Sequence, residues 1–429
     1  MRQIQLAYGS EKINFAFDEN RFEVLTPASS ERPLTDAEIG QALDTPIATP
    51  PLEDLLSRGE SVLLVVSDAT RATASAQIVN LLVRRVIQQG IAPGDITIIF
   101  ATGIHRPTTL LEKQQLLTPF ITQRIKVLDH DADVASTLMR LGETETGTPI
   151  EVNRALGDFS HVILTGGVGF HYFAGFTGGR KSICPGLASA RTIAATHMLA
   201  LDFENGGRRA GVGIGLLEGN PVHEECERVA AMINPTFSIN AIVDERGLAT
   251  QVFAGDWRLA HREACRHYLG EHSKNISGKR KIVIASCGGQ PYDINLIQAQ
   301  KALDMAACAC EDGGTIILLA ECSDGFGRSD FLKWFSSENS AALEKRLRES
   351  YEVNGQTAWA LMTKTERFCV LLVSQLDHDD VRRMRMSPMR SLEEAISGID
   401  SQAEGFILPR GAALLPVLSN NPPKNKKGN

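Results

Sequence analysis

Hydrophobic positions along this chain fall into short, almost wholly apolar runs. Ser61–Ser67, Ile96–Ala101, Phe237–Val243, Ile282–Ser286, Thr315–Ala320 and Phe368–Ser374 are the clearest, rich in Val, Ile and Leu. Such runs fit strands buried on both faces, the habit of parallel sheets. Val162–Leu164, ending in glycines, and Val127–Asp129 are shorter candidates. Between the runs, helices are predicted over 75–89, 189–198, 220–232 and 257–268, and from an Asp293 cap to Cys310. Thr35 with Glu38 marks a further helix start. Residues 3–7 and 12–18 alternate as a hairpin turning at Gly9-Ser10. Glu143–Thr148 reads as a hairpin tip, Phe253–Asp256 as a turn, and Ser391–Ser397 as a short helix.

Strands alternating with helices predict an α/β protein with mainly parallel buried sheets. Its 429 residues suit more than one domain. The polar, basic stretch Glu271–Lys281 reads as a linker. It divides an N-terminal catalytic domain, 1–272, from a C-terminal α/β domain, 278–405. The lysine-rich 421–429 reads as a disordered tail.

Composition narrows the class. A net charge of -7 without a basic block, the short tail aside, speaks against nucleic acid as the main partner. No run approaches the roughly 18 apolar residues of a membrane span, and the N-terminus has no signal-peptide core. Eight scattered cysteines with no CxxC pair read as reduced thiols of a cytoplasmic protein.

In a parallel sheet, ligands gather beyond the strand C-termini. Asp68, Arg71 and His105 fall there. A helix cap explains Asp68 equally well. Arg71 beside a strand end suits an anion. His130 with Asp131 and Asp133 reads as a charged surface turn before it reads as a metal site. After Val162–Leu164 come His171, then Gly178-Gly179-Arg180-Lys181, Pro185-Gly186 and His197. Glycines admit close backbone approach, and two adjacent cations suit a held anion. The stretch has neither the ending of a nucleotide-triphosphate loop nor a clean dinucleotide fingerprint. On pattern alone it stands between an anion or cofactor site and an ordinary loop.

Together these motifs resemble the nickel-pincer lactate racemase family. The resemblance rests on Asp68-x-Thr70-Arg71, Thr102-Gly103-x-His105-Arg106, His171-Tyr172, Phe176-x-Gly178-Gly179-Arg180-Lys181, and His197 sixteen positions after Lys181. Asn220-Pro221-x-His223 and Pro291-x-Asp293-x-Asn295, with Gln298 and Lys301, continue it over about residues 5–418. The Gly355–Trp359 segment departs from the family's glycine-histidine pair.

The resemblance implies an active site in the interdomain cleft, with residues 406–420 completing the first domain. It implies a cytoplasmic 2-hydroxy acid racemase or epimerase working by reversible hydride transfer through a 2-keto acid. The cofactor implied is nickel in a pyridinium-3,5-bisthiocarboxylic acid mononucleotide, covalently tethered to Lys181. His197 would ligate nickel, which imidazole suits. His105 and His171 would be the acid/base pair. Arg71, Gln298 and Lys301 would hold the substrate anion. Asp68, Gly178, Gly179 and Arg180 would line the cofactor, and His223 has some claim on the same cleft. Implied partners are a small 2-hydroxy acid and cofactor maturation proteins, with neither nucleic acid nor membrane. An oligomer is compatible with the sequence. Other readings stay open: the same chemistry on a sugar acid or longer 2-hydroxy acid, a divalent-metal hydrolase at His171 and His197, and a non-catalytic anion-binding protein.

Overall fold

The structure, a computed structural model, describes residues 1–28, 32–69 and 71–419. The predicted tail at 421–429 lies outside the described residues. The chain forms two compact units. One comprises 31–202 and 208–269; the other comprises 1–30, 203–207 and 270–429.

The first unit is built on a six-stranded sheet. Its order is Ala249–Gly255, Phe237–Val243, His161–Gly167, Val62–Ser67, Ile96–Ala101, Lys126–Asp129. All neighbours are parallel except the first pair. Val62–Val66 and Ile96–Phe100 are wholly buried, as their unbroken apolar text requires. The helix Ser75–Gln88 seals one face, burying Ile78, Val79, Leu82, Val83 and Val86 at helical spacing. Phe253–Asp256 is not a free turn. Residues to Gly255 close an antiparallel edge strand, and a Cβ on Gly255 would meet Ile47 backbone at 2.3 Å.

The second unit has its own six-stranded, all-parallel sheet. Its order is Ser387–Met389, Cys369–Val373, Cys310–Leu319, Arg280–Ser286, Gly405–Leu408, Phe22–Val24. The compact units divide the chain at other points than the polar stretch 271–281 alone. Residues 1–30 join this unit because Phe22–Val24 supplies its edge strand. Residues 406–418 belong to it too: Gly405–Leu408 is an inner strand, and Leu415–Leu418 pairs with Ser273–Ile276. That second pairing turns part of the supposed linker into strand. The excursion 203–207 is held by Gly207 N–H donating to Glu344 (2.8 Å).

The helix expected to start at Asp293 starts later. Asn295 caps Leu296–Ala309 by accepting from the Gln298 N–H. Asp293 instead accepts the Gly9 N–H at 2.7 Å, pinning the N-terminal hairpin. At Gly355 a Cβ would meet Trp334 and Leu347 below 3 Å, so that divergent segment is set by helix packing.

Candidate active site

Three adjacent parallel strands of the first unit, His161–Gly167, Val62–Ser67 and Ile96–Ala101, send their C-terminal loops to one edge. Asp68 directly follows the middle strand. It is not the cap of the next helix, Ser75–Gln88, whose N-cap position is Ala74 with no side-chain cap bond. Its carboxylate, 6% exposed, accepts from His105 Nδ1 at 3.1 Å. A carboxylate only accepts, so His105 carries its proton on Nδ1 and presents Nε2 as the lone-pair nitrogen. His105 is exposed, at the end of a turn fixed by its own N–H to Thr102 O (2.9 Å). Arg71 sits half-buried one turn past Asp68, its N–H on Asp68 O (3.1 Å). Among the described residues, no side-chain hydrogen bond or ion pair engages its guanidinium.

The strand His161–Gly167 leads into a tight antiparallel pair, Phe170–His171 with Ala174–Phe176. Phe173 sits in the turn, buried, and contacts three of the expected site residues. Its ring meets His171 edge-on at 4.5 Å and His197 edge-on at 4.9 Å, and Lys181 Nζ stands 5.7 Å from its centroid. Tyr172 stacks on His171 at 5.4 Å. Phe173 was not singled out in the sequence. The available signal was its place two residues beyond His171, but an apolar residue in a turn reads first as core.

His197 ends the helix Ala190–Met198, which Ser189 caps. Burial, with Lys181 nearby, pushes the His197 imidazole down to about 3. It is therefore neutral, the form that ligates a metal.

The glycine loop has an internal role. Gly178 and Gly179 have φ of +80° and +51°, open to glycine and strained for other residues. A Cβ on Gly179 would strike the His261 ring at 2.5 Å. The Gly179 N–H donates to Asn240 Oδ1 (3.0 Å). The Arg180 guanidinium, 1% exposed, turns inward. It donates to Ala174 O (2.8 Å) and lies 3.2 Å from His261 Nε2. Arg180 thus ties the His171 hairpin to the loop carrying Lys181. The N–H of Gly103 on Gly186 O (2.9 Å) ties the His105 turn to the end of that same loop.

His130 is neither a ligand nor a surface residue. It is buried, with Nε2 on Ala188 O (2.9 Å) and Nδ1 on Asn153 (3.1 Å). His223 is buried too, and neither ring nitrogen has a hydrogen-bond partner among the described residues. Gln298 and Lys301 lie in the second unit, where Lys301 Nζ donates to Gln298 Oε1 (2.8 Å). Among the described residues, no three His, Cys, Asp or Glu side chains are grouped to hold a metal ion. Lys181 stands against the same Phe173 ring as His197, which sets an amine beside a neutral imidazole, side chains that fit a lysine-tethered group with an imidazole ligand.

Residues 8–207 match the family model described as the lactate racemase N-terminal domain, and 276–410 the lactate racemase C-terminal domain. A lactate racemase of Thermoanaerobacterium thermosaccharolyticum is 28% identical, over 97% of this chain and 99% of its own length. One of Lactiplantibacillus plantarum is 32% identical, over 77% of each. The solved apoprotein of the Thermoanaerobacterium lactate racemase superposes with a TM-score of 0.88, covering 97% of this chain and all of that one. A Thermotoga maritima structure, 21% identical with a TM-score of 0.70, shares the fold.

Proposed function

The chain belongs to the lactate racemase family, and from that we propose that it racemises or epimerises a 2-hydroxy acid by reversible hydride transfer through a 2-keto acid. Isomerase-type activity follows at the family level; the mechanism and the substrate are the proposal. The observation that carries it is the convergence of His171, His197 and Lys181 on the Phe173 ring. A tether, a metal ligand and a base in contact with one residue are what a lysine-anchored nickel pincer needs.

In this reading Lys181 holds the nucleotide covalently and His197 donates its imidazole to nickel. When bound, that group supplies the hydride acceptor. The chain does the rest. Arg71, half-buried beyond the strand end, takes the substrate carboxylate in its planar fork. Gln298 and Lys301 are proposed as further substrate contacts on the sequence motif alone. His105 and His171 handle the hydroxyl proton on opposite faces of a planar intermediate. Asp68 holds the His105 ring and stabilises it once protonated, as a carboxylate does for a catalytic imidazole. Arg180, Gly178 and Gly179 keep the loop of Lys181 in place from behind.

The test is expression together with the cofactor maturation proteins, then metal analysis, intact mass and a screen of 2-hydroxy acids for loss of optical purity. Nickel, a covalent mass addition and racemisation of at least one acid are expected. Zinc without an addition would overturn the reading in favour of a hydrolase. An unmodified, metal-free chain from cells that make the cofactor would leave an anion-binding protein.

A further inference from the structure

The two histidines are held at Nδ1 in opposite senses, one by a side-chain carboxylate and one by a backbone N–H. His105 donates from Nδ1 to Asp68 Oδ2 (3.1 Å). His171 Nδ1 instead accepts the Ala174 N–H (3.2 Å). The hairpin explains the second bond. His171 pairs with Gly175 across the turn, and its ring nitrogen takes the N–H of Ala174 just inside that pair. A neutral imidazole has one protonated and one bare nitrogen. With Nδ1 accepting, the His171 proton sits on Nε2. With Nδ1 donating, His105 has its lone pair on Nε2.

We propose that the resting enzyme holds its two histidines as opposite tautomers, His105 as the ready base and His171 as a proton-bearing partner, so that one enantiomer enters the reaction without rearrangement and the other does not. This rests on the racemase reading for its consequence, not for the tautomers. For the enantiomer whose hydroxyl faces His105, the O–H bond breaks and an N–H bond forms at Nε2. The resulting imidazolium then has two N–H groups, one already on the Asp68 carboxylate. For the other enantiomer, His171 must first clear the proton from Nε2. Placing it on Nδ1 sets two N–H groups against each other, so the Ala174 bond must break. The geometry therefore builds a directional bias into a reaction whose equilibrium is symmetric. It alters how fast the first half-reaction runs from each enantiomer, not the final ratio of enantiomers.

The tautomers can be read from the full chain without cofactor. Imidazole nitrogen-15 and proton NMR, with His105→Gln and His171→Gln for assignment, should place the neutral-state proton on Nδ1 of His105 and on Nε2 of His171. Like tautomers in both, or the reverse pattern, would overturn the proposal whatever the protein catalyses. In cofactor-loaded protein, rapid quench with each pure enantiomer should give a first-turnover keto acid rate that differs on the order of tenfold, the scale of one hydrogen bond. Asp68→Asn, whose amide can either donate or accept, should shrink that ratio toward one. Equal first-turnover rates in unaltered enzyme would refute the bias while leaving racemisation itself intact.

Discussion

Two six-stranded sheets, one all-parallel and one parallel but for its edge strand, are built from the same kind of apolar text and end in opposite ways. Beyond the strand C-termini of the first, side chains stand at the surface: Arg71 and Lys181 half-buried, His105 exposed. Beyond those of the second, the chain closes the edge on itself. Ser286 donates to Ala7 O, the Gln290 N–H to Gly9 O (3.0 Å), and the Gly9 N–H to Asp293 (2.7 Å). Gln290 and Gln375 both donate to Glu321 (3.2 Å each). A Cβ on Gly9 would meet Glu321 at 2.3 Å, and one on Gly289 would meet Gly9 O at 2.8 Å. The rule that ligands bind at the strand C-termini names a place; whether the place is a site depends on whether the protein fills it with its own backbone.

Substitutions at the two edges should therefore fail differently. The largest effect is at Lys181. Lys181→Ala should lose the covalent mass addition completely, and racemisation with it, while the thermal midpoint of the bare protein hardly moves. Intact mass beside wild type, matured in the same cells, decides it; an undiminished addition removes Lys181 from the role. At the other edge the pattern should invert. Asp293→Ala leaves the Gly9 N–H buried and unpaired, a loss on the order of 2 kcal/mol. Chemical denaturation should show a lower midpoint, whereas the mass addition at Lys181 should persist. If Asp293→Ala kept full stability, the closed edge would be incidental.

The smallest effect separates the units by acid sensitivity. In the first unit, burial and then Arg180 push the His223 and His261 imidazoles down to about 2 and about 3. In the unfolded chain each protonates near 6.5. Below about 6.5 the unfolded chain binds protons that the folded one refuses, so stability falls as pH drops toward the folded values. His223→Leu removes one such group and leaves no polar atom unpaired. Its stability should fall less steeply between pH 6.5 and 5, by at most about 1.4 kcal/mol per pH unit. Urea midpoints at pH 7, 6 and 5 measure the slope; parallel slopes for variant and wild type would sink the assignment.

The sequence by itself determined what is local. The apolar runs became the inner strands, because a strand buried on both faces has no solvent side to encode. The capping box at Thr35 and Glu38, the Asn220 cap and the turn at Gly9-Ser10 formed as read, since each needs only neighbours in the chain. The family motifs were legible for a like reason: His105, His171, Lys181 and His197 sit at fixed intervals beside turns and glycines. What the tertiary structure decided was which groups those residues meet. Asp68 reads equally as a cap until His105 arrives from the neighbouring strand. Arg180 reads as an anion ligand until the fold turns it inward onto Ala174 and His261. His130 reads as surface until Ala188 and Asn153 satisfy it in the core. Residues 1–30 read as part of the first domain until Phe22–Val24 pairs with a strand nearly 400 positions away. Apart from the bond of Arg180 to Ala174 O, six positions away, the deciding contact joins segments far apart in the chain. No local pattern carries it, because burial and the need to pair each polar group act only after the sheets have assembled.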